Sequence, residues 1–210
     1  MPPLPPEGIT LHGGCDCSAV QYKISIPPLS SRPIAFEDKK TGQEPRYPQS
    51  FLDHCNRCRR VSGAIVQAWL TVPQDWVEWV QTQNQGKQVI STTRELIEHP
   101  KANEPHSLAV TNYMSSPGVV RSFCGRCGTN LSFVDQERDM GGDGKVATVD
   151  IVLGSLENDS FDVEGVRPDR HLYWDSGVEW VKTLVTEGDG GLIGGKKAPK
   201  HPDGERDVFV

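Results

Sequence analysis

SFCGRCGTNLSF, residues 122–133, has the form of a hairpin, with a glycine-rich knuckle between two apolar arms. The knuckle carries Cys124-Gly-Arg-Cys127. A C-x-x-C turn delivers two sulfurs to one ion, because its backbone amides curl around the metal and support the thiolates. Zinc requires such donors about 2.0–2.3 Å away at the corners of a tetrahedron. The fold therefore depends on which other donors meet this knuckle.

Four more cysteines occur, as Cys15-Asp-Cys17 and Cys55-Asn-Arg-Cys58. Six sulfurs divide as four plus two. Cys15, Cys17, Cys124 and Cys127 would supply a closed four-thiolate structural site, tying the first strand to a distant hairpin. Cys55 and Cys58 then need further ligands. Asp53, two residues before Cys55, is the first candidate, since positions 53 and 55 share a face if the chain is extended there. His54 competes. Three protein ligands would leave a fourth position for water or substrate, the requirement for catalysis. Disulfides, a metal-free redox pair at Cys55 and Cys58, and a purely structural second site are the alternatives.

The rest of the chain frames these motifs. Its 210 residues include 21 glycines and 16 prolines, and only 7% are aromatic, a mixture that favours short strands and many turns. The net charge of −6 favours neither a nucleic acid nor an anionic membrane as partner. No apolar run nears the ~20 residues that span a bilayer. The start lacks the charged and apolar parts of a secretory signal. The expectation is a cytoplasmic protein, where paired cysteines bind metal more often than they form disulfides.

Residues 1–8 (MPPLPPEG) read as a flexible arm, 9–186 as one zinc-binding domain, and 187–210 as a flexible, glycine- and lysine-rich tail. Val20, Tyr22, Ile24 and Ile26 alternate with polar residues and mark a half-buried strand. Residues 27–50 read as a long loop or insertion. Strands are expected within 64–72, 76–80, 88–90 and 146–156, with a turn at Pro73-Gln-Asp-Trp76. A weak helix is expected at 94–99 and a loop at 101–105. A short helix or turn follows at 177–184, with Trp180 facing the core.

Three motifs together resemble a known family: GCDCSAV at 14–20, CNRCRRVSG at 55–63 and FCGRCGTNLSF at 123–133. They are similar to those of the glutathione-dependent formaldehyde-activating enzymes, a family that includes centromere-protein-V-like members. Tyr113-Met-Ser-Ser-Pro117, Leu153-Gly-Ser-Leu156, Arg167-Pro168, His171-Leu172 and Trp180 extend the match over about residues 10–184. The resemblance implies a mainly β fold, a β-tent of twisted antiparallel sheets around a zinc on Cys15, Cys17, Cys124 and Cys127. It also implies a second zinc site whose family pattern is C-x-C-x-x-C, so that Asp53 stands where the family has its first cysteine. Two zinc ions per chain are expected, one structural and one catalytic.

The implied chemistry is making or breaking a carbon–sulfur bond in a small-molecule thiol adduct of the glutathione type, with Asp53, Arg59 and His171 as catalytic candidates. Arg59 and Arg60 read as an anion clamp or as solvated arginines. His171 reads as an acid/base group or a satisfied structural histidine. A carboxylate at 53 makes the donor set harder and could shift the chemistry towards a carbonyl substrate without glutathione, by elimination, hydration or rearrangement. Asp53 could also leave the metal and serve as a base. A third possibility is a non-catalytic zinc module that binds a partner protein.

Overall fold

The computed structural model describes residues 4–39, 42–83, 86–98, 108–138 and 145–188. Eleven strands and four short helices are present among them. The order is β1 (Ile9–Gly14), β2 (Val20–Ile26), β3 (Gln49–Asp53), α1 (Asn56–Ser62), β4 (Gln67–Pro73), β5 (Val77–Thr82), β6 (Gln88–Ser91), α2 (Thr93–Ile97), β7 (Val110–Ser116), β8 (Val119–Cys124), β9 (Asn130–Asp135), β10 (Thr148–Val152), α3 (Asn158–Phe161), β11 (His171–Leu172) and α4 (Glu179–Glu187). The fold is mainly β, as the sequence indicated. No helix among the described residues is long and apolar enough to cross a membrane.

The strands form two sheets. The smaller runs β1-β2-β5-β6 and the larger β11-β3-β4-β10-β9-β8-β7. Every pairing is antiparallel except β11 against β3. Alternation explains the smaller sheet: Val20, Tyr22, Ile24 and Ile26 are buried and their neighbours exposed. The central strand β10 is instead buried from Thr148 to Ile151, as expected of a strand covered on both faces.

The buried faces of the two sheets meet in one core, with Val20, Ile24 and Trp79 from one and Leu70, Val120, Leu131 and Ile151 from the other. Each such side chain contributes about 1.5–3 kcal/mol on burial. Tyr22 also bonds Ser155 across the layers, hydroxyl to hydroxyl at 2.7 Å. Gly13 lies opposite Tyr22 in the β1–β2 register, and a side chain there would run into the Tyr22 ring.

The 122–133 hairpin forms as β8 and β9 around the cysteine knuckle. Residues 74–76 form a 3-10 turn, where the turn signal lay. Four strands were not anticipated, β1, β3 (QSFLD), β7 (VTNYMSS) and the two-residue β11, and of these β3 and β7 do not alternate cleanly. Trp180 is 49% exposed, against expectation, and Val181 at 4% faces the core. Adjacent positions on a helix point about 100° apart, so α4 buries one of the two.

Residues 4–8 of the expected arm are tied down. Leu4 packs against the core. Arg32, 3% exposed, donates to the carbonyls of Pro5, Glu7 and Pro27. The described residues of the insertion are folded, with bridges at Ile34–Arg46 and Asp38–Gln43, and they lead into β3. The 101–105 loop lies outside the described residues, as does the tail from residue 189 onward.

Candidate metal centre

Backbone geometry builds the first cluster. Cys15 follows β1 and Cys17 sits in the turn to β2, closed by Ser18 N–H to Cys15 O and Cys15 N–H to Val20 O. Cys124 ends β8 and Cys127 lies in the knuckle, closed by Gly128 N–H to Cys124 O and Cys124 N–H to Thr129 O. Gly128 takes φ +81°, the left-handed region that favours glycine. Asp16 N–H donates to Thr129 Oγ1 at 3.2 Å and joins the two turns.

The four sulfurs converge within 4.8 Å of one another. Cys15 and Cys17 Sγ are 3.6 Å apart, and Cys17 and Cys124 Sγ 3.7 Å. A zinc–sulfur tetrahedron with arms of about 2.3 Å has edges of about 3.8 Å, so the cluster fits a zinc ion. None of the six cysteines is joined in a disulfide in this structure. Burial pushes the Cys15 thiol up to about 12. Hydrogen bonds from Thr129 draw Cys127 down to about 6. Metal binding at this cluster therefore has to displace protons.

The second cluster stands on the larger sheet. The side-chain donors of Asp53, Cys55 and Cys58 also lie within 4.8 Å of one another. Asp53 ends β3 and shares a face with Cys55. Cys58 lies in α1, which begins directly after Cys55 and ends at Gly63 with φ +73°. Glycine takes that left-handed cap without strain.

Both oxygens of Asp53 are engaged. Oδ1 accepts from Cys55 N–H at 2.8 Å, and Oδ2 from Trp69 Nε1 at 3.1 Å. A carboxylate has lone pairs to spare beyond these two bonds, so the set of one oxygen and two sulfurs fits a metal with an open position. Arg121 Nη2 lies 3.3 Å from Cys58 Sγ. Burial pushes the Cys58 thiol up to about 12, with a hydrogen bond to Asp53 adding to this and Arg121 opposing it.

Above this cluster lies a cavity of about 240 Å³, walled by Phe51, Trp69, Phe133 and Tyr173 and bordered by Arg57 and Arg121. Arg121 is 6% exposed, stacks over Phe133 at 4.7 Å and donates from Nε to Ser115 Oγ at 3.1 Å. Arg57 donates to Ser115 O.

The other sequence candidates sit elsewhere. Arg59 is half-buried in α1 and does not line this cavity, and Arg60 is exposed. His54 and His171 lie on the opposite face of β3 and β11, with His54 Nε2 2.9 Å from His171 Nδ1. Trp174 stands edge-on to both rings at 5.0 Å. Burial, followed by the charge of His171, holds His54 below the ordinary histidine range. Sequence reading missed Arg121, Arg57 and the role of Trp69. One signal was available, a lone arginine in the otherwise apolar Val119-Val120-Arg121 arm.

A comparison with solved structures matches a Rhodobacter sphaeroides protein at 12% identity and a TM-score of 0.38, over 77% of this chain and all of that one. No curated protein matches the chain. The family model described as "Glutathione-dependent formaldehyde-activating enzyme" matches residues 37–176. That span contains Asp53, Cys55, Cys58, Cys124 and Cys127, and leaves Cys15 and Cys17 before it. With two thirds of its length matched, the chain belongs to the glutathione-dependent formaldehyde-activating enzyme family.

Proposed function

We propose that this protein is a zinc-dependent carbon–sulfur lyase or synthase acting on a glutathione-type thiol adduct at the Asp53, Cys55 and Cys58 cluster. The observation that carries this reading is the convergence of those three donors beneath a cavity with cationic walls. The reaction joins a thiol sulfur to a carbonyl carbon. The C–S bond forms, the C=O bond becomes a C–O single bond, and the thiol proton ends on that oxygen. The reverse step breaks the same bond. Asp53, Cys55 and Cys58 would hold the zinc, which when bound supplies Lewis-acid stabilisation of the charge that develops.

The chain's own residues do the rest. Trp69 and the Cys55 amide fix the plane of the Asp53 carboxylate. Arg121 holds Cys58 Sγ in place from within the cavity wall. Arg57 and Arg121 offer guanidinium groups to substrate carboxylates, the role first sought at Arg59. Phe133 and Trp69 give an apolar floor that limits water beside the reacting atoms. His171 is 2.9 Å from His54 on the far face, which supports a role in supporting the 53–55 segment rather than in contacting substrate.

The test combines metal content with chemistry. Purified protein should carry two zinc ions per chain and speed the exchange of formaldehyde with glutathione, followed by exchange NMR. Asp53→Ala should reduce zinc to one per chain and lower exchange by about 100-fold or more. Asp53→Cys should retain both. A fully loaded wild-type protein with no exchange above buffer sinks the proposal.

A further inference from the structure

A second cavity, of about 680 Å³, adjoins the one above Asp53, and the two share Phe51, Arg138, Asp150 and Leu172 as lining. Its outer wall comes from the 27–50 insertion, through Ile34, Phe36 and Tyr47. The metal-side cavity alone, at about 240 Å³, falls below the roughly 300–1,000 Å³ usual for a small-molecule site. We propose that the insertion builds a second lobe of the substrate site, which takes a flat aromatic group bearing a carboxylate. This rests on the reading that substrate reacts at the Asp53 cluster, and it names the part of the substrate that lies away from the reacting atoms.

Three observations carry it. First, Ile34 and Phe36 are 41% and 42% exposed although they are large and apolar, and both line this cavity. A flat apolar ligand covers such surface and gains the free energy of its burial. Second, guanidinium groups already lie over aromatic rings there. Arg170 is 5.4 Å from the Phe36 ring centre and Arg138 5.6 Å from that of Phe133. Such planes extend a stack for a further ring. Third, among the described residues the lining carries three cations, Arg138, Lys145 and Arg170, and one carboxylate, Asp150. Asp150 is itself tied to Thr71 Oγ1 at 2.5 Å and to Arg138 at 3.5 Å. Asp169, outside the lining, pairs with Arg170 at 2.7 Å, and Asp38 also acts on Arg170, so the lining cation that a ligand carboxylate would meet first is Lys145. A carboxylate on the ligand, placed beside Lys145, forms a charge-assisted pair with it.

The experiment uses the zinc-loaded full chain and 1-naphthoate as probe, with binding followed by calorimetry. Naphthoate is expected to bind at least about 10-fold more tightly than either 1-naphthalenemethanol, which lacks the charge, or acetate, which lacks the rings. Phe36→Ala and, separately, Ile34→Ser should each weaken naphthoate by about 10-fold. Both positions are partly exposed, which suits the variants to folding. Unchanged naphthoate affinity in both variants, or no binding to the wild type, overturns the lobe.

A second arm compares formaldehyde addition to 4-(mercaptomethyl)benzoate and to glutathione. The aromatic thiol should show the higher kcat/KM by about 10-fold, and equal values count against the lobe. Exchange with glutathione in a protein that does not bind naphthoate overturns the lobe and leaves the lyase reading standing. Naphthoate binding that Phe36→Ala abolishes, without C–S chemistry on any thiol, supports the lobe and overturns the lyase reading.

Discussion

Asp53 is oriented before any ion arrives, by one amide and one indole. The alternation of an extended chain was enough to favour it over His54, since positions 53 and 55 share a face. The indole donor was not legible, because Trp69 reaches Asp53 across a strand pairing whose register no local pattern announces. Trp69→Phe keeps the ring and removes the donor. It is expected to weaken zinc at the second cluster by about 10- to 100-fold and leave the four-cysteine cluster untouched. Competition with a chromophoric chelator measures this, and equal affinities would show the bond to be incidental. Arg121→Met, which removes the buried cation and keeps much of the volume, should raise KM for a carboxylate-bearing thiol by about 10-fold. Steady-state kinetics with glutathione checks it.

Elements whose residues answer to one local period were the readable ones. β2 alternates, the β8–β9 hairpin is punctuated by glycine, and α2 begins at a capping box of Thr92 and Glu95. β3 and β7 answer to the sheet around them instead, since β3 lies between β4 and β11 and β7 borders only β8. α4 shows the limit of reading one residue at a time. Val181→Ala should destabilise the protein by about 1–3 kcal/mol, lowering Tm by about 2–10 °C, while Trp180→Ala should change it little. Thermal unfolding by circular dichroism separates the two. A larger loss at Trp180 would mean that α4 is rotated from the phase described.

At the scale of the whole molecule, the four-cysteine cluster does what no single element can. Cys15 and Cys17 belong to the turn of the smaller sheet, and Cys124 and Cys127 to the knuckle of the larger. An ion held there would staple one layer to the other. Cys17→Ser is expected to lose one zinc per chain and lower Tm by more than about 10 °C. Asp53→Ala, which touches only the larger sheet, should lose the other zinc with a smaller change in Tm. Metal analysis and calorimetric melting on the same samples check both, and equal shifts would contradict the division of roles.

The sequence by itself determined the donors, their grouping as four sulfurs and an aspartate–dicysteine set, and the mainly β class. Those features depend on residue type and on spacings within a turn, which local backbone geometry fixes. Only the tertiary structure decided what surrounds the second cluster. It lined the cavity with Arg57 and Arg121 and not with Arg59, set His171 against His54, and placed Ile34 and Phe36 around the adjoining cavity. Those placements arise from strands far apart in the chain that pair in one sheet. A contact between residue 58 and residue 121 is set by that pairing and by the burial that drives it, so no pattern local to either residue encodes it.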